Sequence, residues 1–99
     1  MSARDDLRSR FSDFSATPFP RGGLPPDLRG DVALYDAEIA GLVSAILAGS
    51  EVEEERVVRD ETLERKVATS VGGEDTVWRA YLAELAALVE LARRAAAEG

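Results

Sequence analysis

The chain has 99 residues, with 12 Lys and Arg against 19 Asp and Glu and a formal net charge of −7. It contains no cysteine and no histidine. This excludes disulfide frameworks, thiolate metal sites and all chemistry that depends on an imidazole base or ligand. The length suits one domain, and neither a secretory apolar region nor a run long enough to span a bilayer is visible, so a cytoplasmic protein without membrane contact is expected.

The charge is unevenly placed. Residues 1–30 carry five Arg against four Asp, residues 31–64 carry ten acids against two Arg, and residues 65–99 balance at five against five. An acidic middle third repels nucleic-acid phosphates and steers a basic protein partner, although acid also serves plain solubility.

Residues 1–30 hold all four prolines, three of the eight glycines and all three phenylalanines. Leu7, Phe11 and Phe14 stand at i, i+4 and i+7 after Ser2, which predicts a short amphipathic helix with a serine cap. Thr17-Pro18-Phe19-Pro20 and Leu24-Pro25-Pro26 then break regular structure. The expectation is an N-terminal arm over 1–30 that lies along a helical bundle formed by 31–99, with Phe11, Phe14 and Phe19 as candidate contact residues.

From Gly30 as a stop and Asp31 as a cap, the pattern predicts a central helix over 31–48, ended by Gly49 in a left-handed conformation. Val32, Tyr35, Ile39, Leu42, Val43, Ile46 and Leu47 form its apolar stripe. On the opposite side Ala33, Ala37, Gly41, Ala45 and Gly49 recur at every fourth position. Such a ladder lets a second backbone approach, and the helix is expected to be buried on its large face and covered on its small one. Alanine's high helix propensity accounts for the ladder equally well. Asp36 falls inside the apolar stripe and is the one candidate buried carboxylate.

A third element is expected over 51–70. Val52, Val57, Leu63, Val67 and Val71 share a helical face, with Glu55–Arg59 and Glu61–Arg65 as i,i+4 pairs. The frequency of Val and Thr leaves a β-hairpin over 56–71 as the alternative. After Gly72-Gly73, with Asp75 or Thr76 as cap, a last helix is predicted over 75–97. Its stripe is Val77, Trp78, Tyr81, Leu82, Leu85, Leu88, Val89, Ala92 and Ala96.

No constellation of catalytic type is present. Glu53, Glu54 and Glu55 are consecutive and diverge on a helix, and they lack the alternating pattern of a calcium loop. Isolated glycine pairs do not make a phosphate cradle. No cofactor, metal or nucleic-acid partner is expected. The fold class is all-α, a small three-helix bundle with a Pro/Gly-rich N-terminal arm that carries a short helix. The expected function is a non-catalytic interaction module, an accessory, inhibitory or immunity-like subunit of a larger partner with a basic surface. Its candidate interface is Phe11, Phe14, Phe19, Ala33, Ala37, Gly41, Ala45, Glu53, Glu54, Glu55 and Glu61. The alternatives are a self-assembling structural protein that homo-oligomerises through the small-residue face and, less favoured, a small enzyme using Asp36 with Tyr35 or Tyr81.

Overall fold

The last helix draws the others together. In the computed structural model, which describes residues 2–72 and 77–98, the elements are α1 (Ala3–Ser15), α2 (Pro26–Leu47), a 3-10 turn (Glu54–Arg56), α3 (Glu61–Val71) and α4 (Val77–Ala97). There is no β-strand among the described residues. The chain is therefore all-α. Among the described residues there are four α-helices, one more than the three main ones expected, because the first is a full 13-residue helix.

Ser2 caps α1 as its position suggests, its hydroxyl accepting from the Asp5 N–H at 3.2 Å. Asp5 and Asp6 in the first turn suit the positive end of the helix dipole. The helix runs antiparallel to α4. The Ala3 N–H donates to the Glu98 carboxylate at 3.3 Å, Arg10 lies 3.8 Å from Glu84, and Phe14 meets Tyr81 at a tilt of 42° with ring centroids 5.0 Å apart. Leu7 is fully buried in this contact.

The second helix begins at Pro26, five residues before the expected start. Proline at the first helical position has no N–H to leave unsatisfied and presets φ for the helix. Gly30 and Asp31 are accordingly interior residues, and neither stops or caps anything. The far end is as expected: Gly49 takes φ +89°, its N–H reaches the Ile46 carbonyl and the Ser50 N–H reaches that of Ala45. This pair of bonds is a Schellman closure. Val32, Tyr35, Ile39, Val43 and Ile46 are buried, while Leu42 and Leu47 at the stripe's margins are half-buried.

Residues 51–60 correct the expected single helix over 51–70, and α3 rules out the hairpin alternative. Asp60 caps α3, its carboxylate accepting from the Leu63 N–H at 3.0 Å, while its own N–H donates to the Tyr35 hydroxyl at 3.1 Å. A residue held as a cap cannot also continue a helix from its N-terminal side. The preceding Val57 is extended and fully buried. Val52, Val57, Leu63, Val67 and Val71 thus all turn inward, but by way of a loop, a 3-10 turn and a short helix. The expected Glu55–Arg59 pair does not form; Arg59 reaches forward and binds Glu64 through two bonds of 2.7 and 2.8 Å.

Ten residues of α4 are buried, against five of α2. Its surface contacts α1, α2, α3 and the 3-10 turn. The central helix is therefore α4 and not α2. Trp78 is buried and its indole N–H donates to the Gly22 carbonyl at 2.8 Å, which anchors the irregular segment 16–25. Val77, placed in the stripe by spacing, is instead 61% exposed. The expected caps Asp75 and Thr76 lie outside the described residues.

Two measurements test this arrangement. Leu7→Ala should cost about 2–5 kcal/mol in urea unfolding, whereas Arg8→Ala, at an exposed position of the same helix, should change little; equal small effects would show that α1 is not part of the core. The second concerns the two tyrosines, the only ones in the chain. Burial raises both above their ordinary value of 10.0, and for Tyr81 the bond to Asp36 adds to the shift. A raised folded pKa favours the protonated form, so this stability is complete below pH 10 and is lost as pH rises beyond it. Tyrosinate absorbance should appear only together with loss of the near-ultraviolet circular dichroism. Ionisation near pH 10 with the fold intact would contradict the buried placement.

Candidate functional site

Surface helices of globular proteins carry charge on the side that faces water. Helix α4 obeys this, with Arg79, Glu84, Glu90, Arg93 and Arg94 exposed. Helix α2 does not. Its outward side presents Gly30, Ala33, Leu34, Ala37, Gly41, Ser44 and Ala48, and Leu34 is 72% exposed. A methyl group placed on Gly41 would meet no atom within 4 Å. Among the described residues no helix of the chain lies on this face, because α1, α3 and the 16–25 segment are all held on the side of α4; Ser50, Glu51 and Val52 border it.

The charge on α2 lies along one edge. At 100° per residue Asp27, Asp31 and Glu38 fall together beside Leu34, and all three are exposed. Ala37, Gly41 and Ala45 form the wall of a groove of about 470 Å³ whose other side is Ser50, Glu51 and Val52, with Glu38 and Arg56 at its margin. Two carboxylates therefore face one guanidinium here. The uncharged face and the acidic edge are continuous.

The other acids are dispersed. Glu53 lines a separate groove with Arg4, Ile46 and Ala95. Glu54 and Glu55 stand exposed on the 3-10 turn. Glu61 lies in the first turn of α3, in a third groove with Arg59, Arg65 and Arg79. The structure does not bring Glu53, Glu54, Glu55 and Glu61 into one patch. Among the described residues no group of three or more potential ligands is placed to share a metal ion, and no helix is long and apolar enough to cross a membrane.

The aromatic candidates serve their own chain. Phe14 is buried, and Phe11 and Phe19 are half-buried against the core. Phe19 meets Trp78 and Tyr81 edge-on, with centroids 5.3 and 5.5 Å apart, and the Arg29 guanidinium lies 5.5 Å above its ring.

Asp36 is half-buried, and its partner is the Tyr81 hydroxyl, which donates to its carboxylate. Burial and this bond push the phenol's pKa upward. That is the reverse of what a phenolate base or nucleophile needs. The pair joins α2 to α4 and is accounted for by that role.

Leu34, Glu38 and Glu51 were not singled out by sequence pattern. The signal for Leu34 was present, since it falls among the alanines and outside the Val32 stripe. Glu38 and Glu51 meet only because of the turn at Gly49, which periodicity does not encode. No protein-family model, no curated protein and no solved structure is significantly similar to this chain.

An open Gly41 has a definite consequence. In the monomer Gly41→Ala should stabilise by roughly 0.5–1 kcal/mol through helix propensity, and Gly41→Leu should be no less stable than the parent. Thermal unfolding at low protein concentration reads both. Destabilisation by leucine would mean that something does lie on this face.

Proposed function

We propose that the chain is a non-catalytic interaction module that receives a helix of a partner protein along the outward face of α2. The observation that carries this reading is the uncharged, open face itself: seven outward positions without a charge, an exposed leucine among them, six on the 22-residue helix and the seventh, Ala48, at its cap, with exposed Asp27, Asp31 and Glu38 confined to one edge. Small side chains let two helix axes approach closely, so backbone and side chains of the incoming helix gain contact area over a narrow footprint. Leu34 supplies the apolar anchor, of the kind that carries much of the energy at an interface centre.

The acidic edge selects the partner. Asp27, Asp31, Glu38 and Glu51 favour a helix with Lys or Arg beside its apolar stripe, and their field acts chiefly on association rate. Self-association is opposed by the same charges. An antiparallel pair of α2 helices related by a two-fold axis sets the acidic edge of one against the acidic edge of the other, and each chain carries −7 in all.

The test is site-specific photo-crosslinking in the native host. A benzophenone amino acid at Ala37 should yield one dominant adduct that the same residue at Ser12, exposed on α1, does not give. The captured protein, purified, should bind through a basic helix. Raising ionic strength from about 50 to 500 mM should slow its association roughly tenfold, and Ala37→Arg should abolish binding without altering the melting temperature. Identical adducts from both positions, or association indifferent to salt, would sink the proposal. An adduct between two copies of the chain would assign the face to self-assembly instead.

A further inference from the structure

A second surface feature lies away from the outward face of α2, where segment 16–25 crosses α4. Phe14, Pro18, Phe19, Pro20, Ala80 and Tyr81 enclose a groove of about 780 Å³. Its polar atoms are almost all used within the protein. The Trp78 indole N–H beneath it goes to the Gly22 carbonyl at 2.8 Å, the Tyr81 hydroxyl to Asp36, and the Thr17 hydroxyl to the Asp13 carbonyl at 3.2 Å. What faces the groove is therefore hydrocarbon and ring surface. The edge-to-face contacts of Phe19 with Trp78 and Tyr81, and the fixed φ of two prolines, hold these walls in place before anything binds.

The rim carries one charge of each sign, Glu84 and Arg21. Glu84 is 3.8 Å from Arg10. Arg21, at the groove's edge and exposed, has no ion-pair partner among the described residues. Arg29 sits over the Phe19 ring, and its Nε is buried without a hydrogen-bond partner among the described residues. Of the two charged residues that line the groove, Glu84 and Arg21, the carboxylate is thus paired and the guanidinium is not.

We infer that this groove binds a small amphiphile with an aromatic or branched hydrocarbon body and one anionic head, the body lying on Phe14, Phe19, Ala80 and Tyr81 and the head at Arg21. The size falls within the range of small-molecule sites, which are typically apolar with few polar groups that set orientation. A neutral hydrocarbon would fill the same volume and leave the cations unused. A cationic amphiphile would meet Arg21 as a like charge and would have to compete with Arg10 for Glu84. An anion at that rim is the one head group that matches what the groove presents.

The probe is 1-anilinonaphthalene-8-sulfonate, an aromatic body with a single sulfonate, titrated into the full chain by fluorescence and by energy transfer from Trp78. Saturable one-to-one binding with a Kd on the order of 10–100 µM is expected for a ligand of this size. Ala80→Gln, at an exposed position of α4, should put an uncharged polar side chain into the groove and weaken binding several-fold. Arg21→Gln should weaken it about three- to tenfold, and should leave the uncharged analogue N-phenyl-1-naphthylamine unaffected. Near-ultraviolet circular dichroism of Trp78 must stay native in each variant, which separates groove binding from dye uptake by a loosened core. Gly41→Leu on α2 should have no effect. Unsaturable binding, or binding indifferent to Ala80→Gln, would overturn the site. Equal affinity for charged and uncharged dyes with no effect of Arg21→Gln would overturn the anionic class.

Discussion

Everything in this fold depends on one constraint: the apolar surface of α4 must be covered, and no single other element is large enough to cover it. Trp78, Tyr81, Leu85, Leu88, Val89 and Ala92 are all buried. At about 25 cal/mol per Å² of apolar surface removed from water, they are the largest contiguous source of folding energy in the chain. Helix α1 covers one side, α2 another, and α3 with the 3-10 turn a third. A domain of this length has little surplus stability. The N-terminal helix is therefore part of the fold's energetics, with Leu7 as deeply enclosed as any residue of α2.

Three polar contacts complement that burial by locating the pieces that have weak structure of their own. Tyr35 on α2 holds the Asp60 N–H at the start of α3, Asp36 on α2 accepts from Tyr81 on α4, and Trp78 holds the Gly22 carbonyl in the proline-rich segment. In each case a large aromatic body supplies apolar area while its polar tip fixes a register. An aromatic without such a tip would bury as well but would not specify where the loop sits. These contacts also explain why the loops at 16–25 and 50–60 pack on the bundle despite having few regular backbone bonds.

The parts of the fold legible in sequence are those governed by local rules. Ser2 before the Leu7–Phe11–Phe14 spacing marked α1, Gly49 marked the end of α2, and the stripe through Trp78 and Leu88 marked α4. The parts that were not legible turn on competition between local rules and tertiary contacts. Val52, Val57, Leu63 and Val67 keep helical spacing, yet Asp60 acts as a cap and is bound by Tyr35, twenty-five residues away, so the helix starts late. Pro26 reads as a breaker and as a first helical residue with equal justice, and the packing of Leu28 onto the core selects the second. At the candidate surface the small-residue ladder was visible from the start. Whether anything lies on it was not, because that depends on where α1 and segment 16–25 go, and α4 decides that.

This division has a consequence for how α2 tolerates so unusual an outward face. The stability of α2 comes from its inner stripe, from Tyr35 and Asp36, and from the closure at Gly49. Ala33, Ala37 and Gly41 touch nothing that the fold needs, and Gly41 even lowers intrinsic helix stability by roughly 0.5–1 kcal/mol relative to alanine. Selection for solubility alone would place Lys or Glu at such positions, as it has on the outer side of α4. A helix that keeps seven outward positions uncharged and two of them glycine, in a chain where 31% of residues are charged, is bearing a cost that folding does not repay. Contact with another surface is a physical setting in which the same residues become favourable, since each added side chain would then hold the two backbones further apart.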